Sequence, residues 1–214
     1  MSFAGFVDFE VAAHDAPIRG LRGGEGPPLL LLHGGDHTHA LWEPVADRLA
    51  GRHTVIATHL TDDGERTHRA IAADHLTVMS ALGFEQFMVC GHGRGARVAQ
   101  RLALDHGPRI ERMMVLDIAP TLHDDGSDAV DGVLTPDLEH ARIDHERGIR
   151  IACPVRVLWG AQGPLAASAQ PLDGWRRVAR DTSGRSLPGD HCVPHQAPEA
   201  LLDEMARFFD TRAC

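Results

Sequence analysis

Apolar residues in this chain fall into short runs separated by stretches with helical spacing, the alternation that builds a mostly parallel sheet with crossover helices. The first clear run is Pro28-Leu29-Leu30-Leu31-Leu32-His33, closed by Gly34-Gly35, which predicts a buried strand and a turn. Residues 41–49 place Trp42, Val45 and Leu49 on one face of a short helix, and the β-branched stretch 53–60 predicts the next strand. Residues 67–82 form an amphipathic helical pattern that stops near Gly83. A third buried strand, 87–90, runs into Gly91-His92-Gly93-Arg94-Gly95, and helical spacing resumes over 96–106 before Gly107-Pro108. Strands follow at 112–117 and 155–159, with a weaker one at 185–187 and a final helix at 198–209. Residues 120–137, rich in Asp and Gly, predict a loop, and 137–147 a polar helix.

The pattern contains no internal repeat and no linker, so a single domain spanning residues 1–214 is expected, with 43% hydrophobic residues to fill one core. No run approaches the roughly 20 apolar residues of a membrane span, and the first residues carry acids instead of a basic leader, which makes a soluble cytoplasmic protein the expectation. A net charge of −9 disfavours nucleic acid, whose binding needs a basic face, and leaves small molecules or proteins as partners. Cys90, Cys153, Cys192 and Cys214 lack paired CxxC spacing, so free thiols are expected. All 21 basic residues are arginine, and tyrosine is absent, which removes lysine Schiff-base and tyrosine acid-base chemistry.

The segment that carries candidate chemistry is the strand, glycine-rich turn and helix around Gly93. A G-x-S-x-G elbow places its middle residue on a sharp turn facing a helix N-terminus; here that residue is Gly93, which has no side chain to attack with. The bland alternative for these five residues is a plain glycine-rich turn. Late in the chain, Gly189-Asp190-His191 offers a histidine in a loop, and Asp117 closes the strand that follows the elbow helix.

Three stretches in order, Gly91-His92-Gly93-Arg94-Gly95-Ala96-Arg97, Arg101 to His106 and Leu116-Asp117-Ile118-Ala119-Pro120-Thr121, resemble the fluoroacetate (haloacetate) dehalogenase group of the α/β-hydrolase superfamily. The resemblance covers residues 28–117 and 151–209, and it implies an α/β-hydrolase fold. In that group an aspartate at the elbow attacks the halide-bearing carbon, and the position corresponds to Gly93. The resemblance further implies Asp117 and His191 as the acid-histidine pair, and Arg94 and Arg97 as the grip on a substrate carboxylate, a role that suits forked guanidinium donors at a helix N-terminus. Gly34, Gly35 and His92 join the substrate-binding set, with His33-Gly34-Gly35 at the turn that supplies backbone N–H groups. His33 is expected to be structural, and Asp36, His37 and His39 inherited scaffold; no cofactor or metal is called for.

Two departures shape the functional expectation. The family's helical cap follows the Asp117 strand, and only residues 121–150, mostly polar, stand there; residues 61–66 are also shorter than the family's loop. Carbon-halogen cleavage through an aspartyl ester is therefore not expected. An Asp-His pair can still act as a general base without a nucleophile, so the leading expectation is hydrolysis, elimination or isomerisation of a small carboxylate or ester. Cys192, beside His191, is a weaker candidate nucleophile. The competing expectation is a noncatalytic binding or scaffold protein, whose open pocket rim a partner or second copy could cover as a homodimer.

Overall fold

The computed structural model describes residues 3–14, 17–35, 37–60, 66–121, 135–168 and 170–210. Most of the expected 120–137 loop, Asp36, Cys214 and residues 61–65 lie outside the described residues.

Eight strands form one sheet in the order β1-β2-β4-β3-β5-β6-β7-β8. They are β1 (Val7–Val11), β2 (Ile18–Gly23), β3 (Pro28–Leu32), β4 (Thr54–Thr58), β5 (Phe87–His92), β6 (Ile110–Leu116), β7 (Val155–Gly160) and β8 (Thr182–Leu187). From β4 onward the pairings are parallel. Strands β1 and β2 form an antiparallel hairpin that meets β4 antiparallel at one edge.

Period-two alternation splits the strand side chains between two apolar layers. Leu30, Leu32, Ile56, Val89, Met113, Val115 and Val157 face one layer. There they meet Ile71 and Met79 of α2 (His68–Ala81) and Val98 and Leu102 of α3 (Arg94–Asp105). Leu29, Leu31, Val55, Cys90, Met114, Leu116 and Leu158 face the other. That layer is closed by Val45 and Leu49 of α1 (Glu43–Ala50) and by Leu201, Met205 and Phe208 of α7 (Pro198–Phe209). Leu29 through Leu32 are fully buried, each worth about 2 kcal/mol in apolar transfer. A strand buried on both faces cannot show a polar alternation, which is why these runs are continuous in sequence.

The helix starts follow local chemistry. The Thr67 side chain accepts from Ala70 N at the head of α2, and Thr135 accepts from Leu138 N at the head of α4 (Pro136–Glu146). The polar helix α4 is held onto α3 by the buried Arg101–Asp144 ion pair, and its first turn meets α2 where Asp137 bonds His68. The short helices α5 (Asp173–Val178) and α6 (Val193–Gln196) complete the described set. Among the described residues no helix is long and apolar enough to cross a membrane.

Candidate active site

Parallel strands converge their C-terminal ends, and in such sheets ligand sites form beyond those ends. Here the ends of β3, β5, β6 and β8 carry the turn at Gly34, the elbow at Gly93, Asp117 and the loop of His191.

The elbow depends on close backbone approach. A Cβ on Gly91 would lie 2.5 Å from Ala96 Cα, and one on Gly95 would lie 2.4 Å from the Leu32 carbonyl oxygen. These two glycines let the strand, turn and helix fold flat onto β3. Gly93 between them takes φ 51° and ψ −124° as the residue that opens α3, a left-handed conformation costly for other residues. A Cβ there would nevertheless find room, 3.5 Å from Gly34 Cα and 3.9 Å from His191 Nε2. The elbow therefore has the backbone of a nucleophile position and points it at a histidine.

His191 Nδ1 donates to Asp117 Oδ2 at 2.9 Å. A carboxylate only accepts, so the proton sits on Nδ1 and the Nε2 lone pair faces the elbow. Asp117 is itself at φ 50° just past β6, and its amide donates to the Leu158 carbonyl, an arrangement that turns its carboxylate inward. Gly163 makes space for that group, because a Cβ there would sit 2.4 Å from Asp117 Oδ2. Among the described residues, Asp117 Oδ1 has no hydrogen-bond partner.

His92 is fully buried, and its Nε2–H donates to the His191 carbonyl at 2.8 Å. Burial holds it neutral, with its pKa lowered to about 4. His33 is also lowered to about 4 by burial; it donates from Nδ1 to the Gly34 carbonyl and accepts the Leu60 amide at Nε2. Both ring nitrogens are thereby satisfied, and His33 is a brace for the turn.

Arg94 and Arg97 occupy the first turn of α3, beside the elbow. Burial holds the Arg94 guanidinium below its ordinary value; Asp137 opposes that shift and Arg97 adds to it. Arg94 also donates to the Arg66 carbonyl at 3.3 Å. Gly34 lies under the elbow, whereas Gly35 is exposed at the rim of the turn. Cys90 is buried in β5 and its thiol pushed up strongly by burial, and the Cys192 thiol is raised by burial and by Asp190. Neither is a ready thiolate. Among the described residues no three His, Cys, Asp or Glu side chains group as a metal site.

The structure brings His191, Asp117, Gly93 and Gly34 together as expected from the sequence, with His92 behind them and not on an open wall. Sequence reasoning missed Gly163 and the backbone tie made by His92, since neither a glycine nor a histidine signals a contact with a residue so distant in sequence.

A strand-elbow-helix with an acid after the next strand and a histidine in the last loop defines a class, and comparison with known proteins gives it a family. The profile of the alpha/beta hydrolase fold family matches residues 27–138, just over half of the chain, and the chain belongs to that family. It is 39% identical over 131 residues to the fluoroacetate dehalogenase of a Burkholderia sp, covering 56% of this chain and 43% of that protein. It is 35% identical over 125 residues to the soluble epoxide hydrolase of Corynebacterium sp. (strain C12), covering 53% and 44%. The matched stretch thus spans less than half the length of these relatives.

Among solved structures, a protein from Nostoc sp PCC 7120 assigned to the alpha/beta hydrolases superposes with a TM-score of 0.86 at 32% identity, covering 98% of this chain and 100% of that one. A Pseudomonas aeruginosa protein assigned as an epoxide hydrolase gives 0.86 at 27% identity, covering 98% and 97%. These likenesses agree with the eight-stranded fold and the family.

Proposed function

We propose that this chain is an enzyme in which His191, oriented by Asp117, acts as a general base on a water or an acidic C–H of a small carboxylate or ester, without a covalent intermediate at the elbow. The observation that carries this reading is the 2.9 Å Asp117–His191 contact with Nε2 aimed at the space over Gly93. An imidazole whose Nδ1–H is held by a buried carboxylate is stabilised as it takes a proton on Nε2. Gly93 contributes space where the family's dehalogenases carry the attacking aspartate, so a water or a bulkier substrate fits where an ester would otherwise form. Arg94 and Arg97, at the helix N-terminus beside that space, supply the charge that would hold a carboxylate. The brevity of the stretch between β6 and β7 supports a site without the family's helical cap, open to substrates that a closed cavity would exclude.

The test is proton and fluorine NMR of a panel of small carboxylates, their esters and haloacetates in heavy water, with wild type and His191→Ala. Turnover or α-proton exchange that disappears in the variant supports the general-base reading and names the reaction. No reaction with either protein favours a noncatalytic binding protein, and fluoride release by the wild type would sink the reading of Gly93.

A further inference from the structure

We infer that His92 is a positioning residue for His191, holding the loop that carries the general base by a hydrogen bond from its own ring to the His191 backbone carbonyl. His191 belongs to a loop whose local bonds tie its neighbours: Cys192 N donates to Asp190 Oδ1, and Asp190 N to Gln196 Oε1. The His191 carbonyl is instead taken by His92 Nε2 at 2.8 Å, across 99 residues of sequence. The two imidazoles lie 4.4 Å apart between centroids, tilted by 52°, so His92 also walls one face of the His191 ring.

His92 is the last residue of β5, next to the elbow, and is packed without exposure. Its carbonyl-bound nitrogen must carry the hydrogen, so the neutral ring has one tautomer here. Its other nitrogen, Nδ1, is buried, has no hydrogen-bond partner among the described residues and faces Gly34, whose Cβ position lies 3.0 Å away. A second proton would be buried against that backbone, and the low pKa follows from this burial. His92 is therefore a fixed donor and no proton relay. It sets the distance from His191 Nε2 to the elbow, while Asp117 sets the rotation of the ring.

This inference rests on Asp117 and His191 being the working pair. It is tested on the full chain through the solvent-exchange rate of the His191 Nδ1–H proton, seen as a downfield NMR signal and assigned by its loss in His191→Gln. His92→Gln restores an N–H donor at nearly the same reach, and His92→Phe fills the space without one; His92→Leu replaces Phe if that variant does not fold. Loss of one buried hydrogen bond opens the loop more often, so exchange in the Phe variant is expected about 5- to 10-fold faster than in wild type. The Gln variant should stay within about twofold of wild type if the donor is what matters.

Wild-type exchange in the Phe variant overturns the inference. So does equal acceleration in Phe and Gln variants alongside equal losses in melting temperature, the outcome for a role in packing alone. The readout needs no turnover. Separation of the two variants in a chain without turnover would overturn the enzymatic reading alone, and turnover without that separation would overturn only the role given to His92.

Discussion

Two aspartate-histidine pairs stand at opposite ends of the sheet, and they bury opposite partners. Beyond the C-terminal strand ends, Asp117 is wholly buried and the His191 side chain is 44% exposed. At the other end, just before β4, the His53 side chain is 4% exposed and meets Asp210, 29% exposed, at 3.1 Å. Asp210 also pairs with Arg52. The same two functional groups give different chemistry because desolvation falls on different members. A buried carboxylate has its charge directed at one imidazole, and the exposed edge of that imidazole can take a proton from a substrate. A buried imidazole is pushed down instead: burial outweighs Asp210 at His53, and Arg52 adds to the shift. The second pair fastens the end of α7, with its imidazole buried and its carboxylate on the side that meets solvent.

The sharpest way to break this comparison is to make the same substitution in both pairs. Asp117→Asn is nearly isosteric but offers a donor as well as an acceptor, which lets His191 hold its proton on Nε2 and lose its lone pair toward the elbow. Turnover of the compound identified in heavy water should fall by about 10³- to 10⁴-fold, as this change does in a Ser-His-Asp triad. Asp210→Asn should leave the turnover rate within about twofold, since it touches no group near Gly93. Equal losses at the two sites would mean that the rate reports stability and not base strength.

The next effect is on acid stability. His33 and His92 titrate at about 4 in the folded chain against an ordinary value of 6.5, and burial also lowers His53 and His75. As pH falls from 6.5 toward 4, the unfolded chain takes up protons that the folded chain refuses. The stability owed to neutral burial is complete above about 6.5 and lost on the way down to 4. One such histidine contributes up to about 1.4 kcal/mol per pH unit, and His33 and His92 together about 2–3. Urea midpoints measured from pH 7 to 4.5 should fall steeply, and His33→Gln should flatten the slope; a level profile would show that these rings accept protons while folded.

The parallel core was legible from sequence because strands buried on both faces leave continuous apolar runs: leucines 29–32 and residues 87–90 mark β3 and β5 directly. The hairpin of β1 and β2 was not, since Val7 and Arg22 lie on an edge where polar and apolar residues mix without a clear period. The predicted strand at 53–60 shortened to β4 because His53 serves the Asp210 pair and Leu60 donates its amide to His33. The helix expected from residue 96 begins at Arg94, since the elbow turn is completed by Gly93 alone. At the site, the resemblance paired Asp117 with His191, and the structure brings the two side chains within 2.9 Å. Gly163 and the bond from His92 to the His191 loop are products of tertiary packing, and a single sequence holds no local signal for either.

The smallest expected effect concerns the second pair by itself. Asp210 lies where α7 ends, and it receives the Arg52 guanidinium at 2.6 Å and the His53 ring at 3.1 Å. The Arg52 side chain is 69% exposed, so solvent screens most of its attraction, and an exposed pair of this kind is worth about 0.2–1 kcal/mol. His53 stays neutral because burial dominates, so its bond to Asp210 counts as one hydrogen bond at a partly exposed carboxylate. Asp210→Ala should therefore cost about 1–2 kcal/mol in urea unfolding at pH 7. A double-mutant cycle with Arg52→Ala should return a coupling of under about 1 kcal/mol that shrinks in 0.5 M salt. A salt-insensitive coupling of several kcal/mol would mean that the carboxylate at this end is as shielded as Asp117, and the contrast between the two pairs would no longer rest on which partner is buried.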